Sequence, residues 1–153
     1  MSGKIFLGPA DTYAGGHPLL GEGKAYAFAP AILPGNIVTF DPGTGELAIG
    51  SYISGSEQYS PYVAIEQGSG LGATVNTPYA AGELVKFVKV RSGERVRVRA
   101  PAGLDISAGN PLTIGADGRV LGYVDGDHKF FVATGAYGET VANNGDLIVV
   151  EAV

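Results

Sequence analysis

The chain has 153 residues, among them 25 Gly and 9 Pro but no Cys, and its formal net charge is −5. A chain without Cys has neither disulfides nor thiolate metal sites, and this content of Gly and Pro without a collagen period favours short strands and tight turns over helices. The charge-free stretch over residues 25–40, which no other in the chain exceeds in length, is interrupted by Pro30, Pro34 and Gly35, which excludes a membrane-spanning helix there. The first residues, MSGKIFLGPAD, lack the apolar core of a secretory signal.

The first 35 residues are rich in Gly, Pro and Ala, and their apolar residues follow neither the helical nor the strand period. We therefore predict an extended N-terminal arm over residues 1–35, with one short strand at residues 24–29 (KAYAFA). A disordered tail has fewer apolar residues and more charge, so the arm is expected to dock, either on its own domain or on a neighbouring protein. The side chains expected to make that contact are Ile5, Phe6, Leu7, Leu19 and Leu20.

Residues 36–153 are predicted to form a single β-rich domain. Its first element is a hairpin over residues 36–50, in which the strands NIVTF and LAIG flank the turn sequence DPGTGE. Asp41 and Pro42 are favoured at the first two positions of a type I turn. A further strand is predicted at residues 62–66 (YVAIE), between two polar loops.

The next predicted element is a hairpin whose strands cover residues 84–90 and 95–99, joined by a turn at residues 91–94 (RSGE). In the second strand Arg95, Arg97 and Arg99 alternate with valines, so the period of two places all three guanidinium groups on one face. Two interpretations of this arginine ladder stay open. One is recognition of carboxylate or phosphate groups, and the other is a solvated strand face that is balanced by Glu or Asp across the sheet.

The charge of the chain is unevenly distributed. Six of the ten basic residues lie in this predicted hairpin, and together with Glu94 they give the segment a charge of +5, which leaves −10 on the rest of a chain of net charge −5. Such a dipolar molecule suits a contact between its basic face and the acidic face of a second copy or of another protein. Nucleic acid is not an expected partner, because the chain is acidic overall and no aromatic residue alternates with the arginines.

The C-terminal part of the chain contains four more predicted strands. Residues 112–114 and 120–124 form a hairpin around GADG, residues 130–134 (FFVAT) form the next strand, and residues 146–153 (DLIVVEAV) form the last, after a turn at Asn143, Asn144 and Gly145. The whole chain is predicted to contain nine or ten short strands and no helix of three turns. The predicted fold class is all-β, a β-sandwich or a small β-barrel with an extended N-terminal arm.

The residue types that carry chemistry in enzymes and metalloproteins do not form a recognisable site. His17 and His128 are the two histidines and lie in different segments, and neither has a metal-ligand spacing from another ligand. The sequence VDGDHK at residues 124–129 is expected to be a polar turn rather than a cation loop, and GSGLG at residues 68–72 lacks the pattern of a phosphate loop. No GxSxG motif occurs, and no nucleophile with its base can be named. We therefore predict no enzyme activity, cofactor or metal.

One part of the chain resembles a known family. Residues 82–134 are similar to the decoration (cement) proteins of tailed-bacteriophage heads, in the strand pair VKFVKVRSGERVRVRA, the segment LDISAGNPLTIG, the hairpin ADGRVLGYV and the strand KFFVATG. Residues 51–76 have no counterpart in this resemblance. The resemblance implies a decoration-protein fold, of β-tulip or jelly-roll type.

The resemblance also implies a function. Decoration proteins are structural virion proteins, made in the host cytoplasm, that bind the outer surface of the capsid, commonly as trimers, and reinforce contacts between capsomers. The implied partners are the major capsid protein and further copies of the chain in a homotrimer, with no membrane and no nucleic acid. That Arg95, Arg97 and Arg99 contact the capsid or a sister subunit is our own inference from their charge, since the family pattern assigns no contact residues.

A second hypothesis is a ligand-binding or glycan-binding β-module of the adhesin type. Stacking surfaces for sugar rings would come from tyrosines expected on loops, namely Tyr13, Tyr52, Tyr59, Tyr62 and Tyr79. Tyrosines are also common at ordinary protein interfaces. Glycan binding that is lost when these tyrosines are replaced would distinguish this hypothesis from the first.

Overall fold

The computed structural model describes residues 5–9, 19–25, 31–41, 46–50, 61–66, 74–80, 82–135 and 141–153. These residues form eleven strands in two sheets, which confirms the predicted all-β class. Among them there is no helix of the length and hydropathy that a bilayer crossing requires. The strands are β1 (Phe6–Pro9), β2 (Leu19–Ala25), β3 (Ile37–Asp41), β4 (Glu46–Ile49), β5 (Tyr62–Ala64), β6 (Leu84–Lys89), β7 (Glu94–Ala100), β8 (Pro111–Ile114), β9 (Val120–Gly122), β10 (Phe131–Ala133) and β11 (Asp146–Ala152).

Six of the strands form an antiparallel sheet in the order β1-β7-β11-β10-β8-β9. Its longest pairing joins β7 to β11, with Val96 opposite Val150 and Val98 opposite Ile148. All four of these side chains are buried, and directly opposed residues of antiparallel strands lie on the same face. This face is the inner face of the six-stranded sheet.

The other five strands close into a small barrel in the order β2-β4-β3-β5-β6, with β6 pairing back to β2. Its pairings are antiparallel except that of β2 with β4, which is parallel. Closure pairs the strand edges that an open sheet would leave free. The small β-barrel of the predicted fold class is therefore present, next to the six-stranded sheet.

Two hydrophobic clusters stabilise this arrangement. The larger cluster joins the barrel to the inner face of the sheet, because it includes Ile37, Val63 and Val88 from the barrel together with Val98 and Phe131 from the sheet. Successive residues of a strand point to opposite faces, so the same barrel strands also supply the smaller cluster. Each fully buried Val, Leu or Phe contributes about 1.5–3 kcal/mol. The smaller cluster contains Ile32, Val38, Leu47, Ala64, Tyr79, Val85 and Phe87.

Strands β6 and β7 do not form the predicted hairpin. The predicted turn between them is present, since the N–H of Glu94 donates to the carbonyl oxygen of Arg91 at 3.0 Å and Gly93 has a φ of 84°, but it leads the chain from the barrel into the six-stranded sheet. Strand β6 pairs with β2 and β5, and β7 pairs with β1 and β11. Both edges of each strand already have partners that are distant in sequence, so no backbone groups are left for a pairing between β6 and β7.

The other predicted hairpins are confirmed. Strand β3 pairs with β4, and β8 pairs with β9, in both cases antiparallel. Strands β5, β10 and β11 also lie in the predicted segments. The predicted turn precedes β11, where the N–H of Asp146 donates to the carbonyl oxygen of Asn143 at 3.2 Å.

Two strands lie within the segment predicted as an arm. Strands β1 and β2 belong to residues 1–35, and each pairs with a strand of the remaining chain. The strand predicted at residues 24–29 overlaps β2 at residues 24–25, and residues 26–29 lie outside the described residues. The division into an arm, residues 1–35, and a domain, residues 36–153, stays a prediction.

Candidate protein interface

The arginine ladder lies on β7, the second strand of the six-stranded sheet. The valines of this strand are buried, whereas Arg95 and Arg97 are half-buried. Burial therefore alternates along the strand with the period of two that the sequence predicted. The three guanidinium groups therefore start from the face of the sheet that points away from the barrel. Their cross-strand partners on β11 are Glu151 for Arg95, Val149 for Arg97 and Leu147 for Arg99.

Arg95 is balanced by an acid across the sheet. Its Nε lies 3.3 Å from Oε1 of Glu151, and the two side chains are 33% and 31% exposed. An ion pair with that much access to water contributes about 0.2–1 kcal/mol. At this end of the strand the structure supports the interpretation of a strand face balanced by a carboxylate, and part of the Arg95 side chain remains open to solvent.

Arg99 is enclosed, with 5% of its surface exposed. Its Nε donates to the carbonyl oxygen of Pro34 at 2.8 Å, and its Nη1 donates to Oδ1 of Asn76 at 3.1 Å and to the carbonyl oxygen of Gly145 at 2.9 Å. Its Nη2 donates to the carbonyl oxygen of Val75. A guanidinium has five N–H donors and needs several acceptors when it leaves water. Through these hydrogen bonds Arg99 links three separate loops to the end of β7.

Electrostatics around Arg99 follow from this burial. Desolvation lowers the pKa of Arg99 below its usual value, and the carboxylate of Asp146 opposes that shift. Arg nevertheless stays protonated in proteins, so the carbonyl groups surround a cation. Oδ2 of Asp146 accepts from the N–H groups of Ala142 and Asn143 at 3.0 and 2.9 Å. The turn before β11 and the buried guanidinium thus belong to one polar network.

Arg97 lies between these two environments. Its side chain is half-buried opposite Val149, and its backbone N–H donates to the carbonyl oxygen of Ile5 at 2.8 Å. Arg95 and Arg97 keep part of their surface exposed, whereas Arg99 is enclosed. The interface role of the ladder stays a prediction.

The residues predicted to anchor the arm lie in or next to the two sheets. Ile5 is fully buried in the larger cluster, and its N–H donates to Oε2 of Glu66 at 3.0 Å. Of the two docking alternatives that the sequence left open, the structure places the Ile5 side chain on the chain's own domain. The other four residues are strand residues, Phe6 and Leu7 in β1 beside β7, and Leu19 and Leu20 in β2 beside β6.

Of the five tyrosines proposed for sugar stacking, the two that the structure describes do not form a loop surface for sugars. Tyr79 is 3% exposed, and its hydroxyl donates to the carbonyl oxygen of Ile65 at 2.9 Å. Tyr62 lies in β5 with its ring edge-on to that of Phe87, at 5.4 Å between centroids. Both rings pack with the smaller cluster, so the expectation that they are exposed on loops is wrong. Tyr13, Tyr52 and Tyr59 lie outside the described residues.

Within the described ranges no group of three or more His, Cys, Asp or Glu side chains is placed to hold a metal ion. The segment VDGDHK forms a polar turn, in which the N–H of Asp127 donates to the carbonyl oxygen of Val124 at 2.9 Å and Oδ2 of Asp127 accepts from the N–H of Val124 at 3.3 Å. The ring of His128 packs against Phe130 at 4.6 Å between centroids. Asp127 and His128 therefore make contacts within or next to this polar turn.

An open depression of about 540 Å³ is lined by residues 103–108 together with Gly135 and Val141. Of these lining residues, Asp105 alone has a side chain that titrates. Its Oδ1 accepts from the hydroxyl and the N–H of Ser107 at 2.6 and 3.0 Å, and these bonds lower the pKa of Asp105. Among the residues that line the depression, no histidine, lysine or second acid accompanies the Asp105–Ser107 pair.

Two features of this region were not predicted from the sequence. Glu94 is 5% exposed, and its Oε1 accepts from Nε and Nη2 of Arg91 at 3.0 and 2.8 Å. The spacing in RSGE is a local indication of this pair, because a four-residue turn brings its first and last residues together. The acceptors of Arg99 have no such indication, since Pro34, Gly145 and Val75 are 65, 46 and 24 residues away from it in the chain.

No family model and no curated protein matches this sequence. Among solved structures, the chain is similar in fold to the head fiber gp8.5 N base of bacteriophage phi29, with a TM-score of 0.54 and 17% sequence identity. The similarity covers 90% of this chain and 95% of that chain. At this level of identity the two proteins share a fold over nearly their whole lengths.

Proposed function

We propose that this chain is a non-enzymatic structural protein of a bacteriophage head, bound to the outer surface of the capsid, where it stabilises contacts between capsomers. The observation that carries the proposal is the shared fold with the base of a phage head fiber, over 90% of the chain. The resemblance of residues 82–134 to decoration proteins supports the same class from a different direction, because it rests on sequence motifs. The proposed partners are the major capsid protein and further copies of the chain in a homotrimer.

The outer face of β7 supplies a contact surface for this role. Arg95 and Arg97 are half-buried there and follow each other on one strand face, about 6.8 Å apart along the strand. Guanidinium groups bind carboxylates through two parallel hydrogen bonds, so this face suits an acidic patch on the shell or on a sister subunit. Apolar residues of the predicted arm, among them Leu7 and Leu19, are proposed to add contacts with a neighbouring subunit.

Cosedimentation with purified shells tests the proposal. Shells of the phage whose genome carries the gene, prepared without their outer proteins, are mixed with the chain, and the bound fraction is compared with that on dispersed capsid subunits. We expect saturable binding to assembled shells alone, and sedimentation of the free protein as a concentration-dependent oligomer. A strictly monomeric protein that remains in the supernatant contradicts the proposal, and binding to a glycan array without binding to shells favours the second hypothesis.

Charge reversal tests the contact surface separately. Arg97→Glu is expected to lower the affinity for shells by about tenfold or more, because a like charge opposite an acidic partner costs several kcal/mol. Lys129→Glu is the matched control, since Lys129 is exposed and lies in the connection between β9 and β10, with its Nζ over the ring of Tyr123 at 4.9 Å from the centroid. If both variants lose the same affinity for shells, the arginine ladder is not part of the interface. The shell-binding proposal itself is unaffected by that result.

A further inference from the structure

The turn before β11 contains the chain's one Asn-Gly pair, Asn144 and Gly145. In such a pair the backbone nitrogen of Gly can attack the side-chain Cγ of Asn, since Gly has no Cβ to obstruct the approach. The N–Cγ bond forms, the Cγ–NH2 bond breaks and ammonia leaves, which gives a cyclic succinimide. Water then opens the ring to aspartate or isoaspartate, with no change in oxidation state and no other co-reactant. We propose that Asn144 is a deamidation site whose reaction is held back by the folded turn.

Both reacting groups are restrained in this turn. The N–H of Gly145 donates to the carbonyl oxygen of Ala100 at 2.8 Å, so the nitrogen cannot lose its proton and approach Cγ without breaking that bond. Oδ1 of Asn144 accepts from the N–H of Ala102 at 2.9 Å, which directs the carboxamide towards residues 101–103. Asn144 itself is exposed, so water reaches it as soon as the turn opens. Local opening of the turn therefore sets the rate.

The modification would act on more than the turn. The carbonyl oxygen of Gly145 accepts from Nη1 of Arg99 at 2.9 Å, and Asp146 follows directly in the chain. An isoaspartate at position 144 places the side-chain methylene in the main chain, which displaces the Gly145 carbonyl from the buried guanidinium. A buried donor without its acceptor is destabilising. Deamidation at the exposed Asn144 therefore weakens the hydrogen bonds by which Arg99 links the loops to β7.

The first test compares the folded and the unfolded chain. The protein is incubated at mildly alkaline pH in buffer and in a urea concentration that unfolds it, and peptide mapping by mass spectrometry measures aspartate and isoaspartate at position 144. We expect the folded protein to react about tenfold or more slowly, because the reactive conformation requires the loss of two hydrogen bonds. Asn143 is the internal control, and Asn144→Gln should remove the product. Equal rates in buffer and urea, or no faster reaction at Asn144 than at Asn143 in urea, would overturn the proposal.

The second test loosens the turn without changing the reacting groups. Asp146→Ala removes the acceptor of the Ala142 and Asn143 N–H groups, and it is expected to raise the deamidation rate of the folded protein severalfold while Gly145 N–H loses protection in hydrogen exchange. Asp105→Ala is the matched control, because it removes a similar turn acceptor at Ser107 and should leave the Asn144 rate unchanged. A folded Asp146→Ala variant with the parent rate would contradict the proposal. Neither test involves shells, so each is independent of the proposed function.

Discussion

The two ends of strand β7 carry the same residue type on the same face, in different environments. The Arg95 side chain is 33% exposed and pairs with the carboxylate of Glu151 on β11. Arg99 is 5% exposed and donates to four oxygens. The period of two places both residues on one face, and the described loops that contain Pro34, Asn76 and Gly145 enclose the Arg99 side chain. An arginine ladder is therefore a surface at one end of this strand and an internal cross-link at the other.

The largest effect is expected at the enclosed end. Arg99→Ala should lower the free energy of unfolding by about 3 kcal/mol or more, because several buried acceptors lose a charged donor. Urea unfolding followed by circular dichroism measures this change. Arg99→Lys should recover little of it, since an ammonium cannot span the same acceptors, and Arg97→Ala is the control on the same strand. A loss below about 1 kcal/mol for Arg99→Ala would mean that the cross-link does not stabilise the fold.

A smaller effect is expected where β7 begins. Glu94→Ala should lower the free energy of unfolding by about 1.5–3 kcal/mol, the range for hydrogen bonds to charged groups, because the buried carboxylate accepts from the backbone N–H and the guanidinium of Arg91. Glu151→Ala is the matched control in the same sheet, as its side chain is 31% exposed. If both substitutions lower the free energy of unfolding by the same amount, the burial of Glu94 adds nothing to its contribution to stability.

The smallest effect is expected at the open end. A double-mutant cycle on Arg95 and Glu151 should give a coupling free energy of about 0.2–1 kcal/mol, which decreases as salt is added, because the pair is screened by water and ions. The measurement is the difference in unfolding free energy among the parent, the two single variants and the double variant. A salt-independent coupling above about 2 kcal/mol would show that this end of the ladder is as enclosed as the other.

Only part of the candidate interface could be predicted from the sequence. The face of the arginines was predictable, because alternation depends only on successive backbone directions. Their burial was not, because the residues that enclose Arg99 come from loops 24 to 65 positions away. For the same reason Tyr79, which the sequence predicted to lie on a loop, is buried against strands of the barrel.

Local sequence patterns were sufficient to predict the all-β class, the hairpins of β3 with β4 and of β8 with β9, and the turn before β11. These features depend on residues within a few positions of one another, where turn residues and two-residue periodicity act directly. Through the motifs of residues 82–134 the sequence also predicts a phage head protein, which stays a proposal, and the fold is similar to that of a head fiber base of bacteriophage phi29.

Which strands share a sheet depends on tertiary packing and did not follow from local patterns. Strands β6 and β7 are adjacent in the chain and joined by the predicted turn, yet β6 closes the barrel and β7 lies in the six-stranded sheet. The parallel pairing of β2 with β4 was equally absent from the local pattern. Partner choice depends on which distant strands satisfy both edges of a strand while burying its apolar face, and that is a property of the assembled core rather than of any one segment.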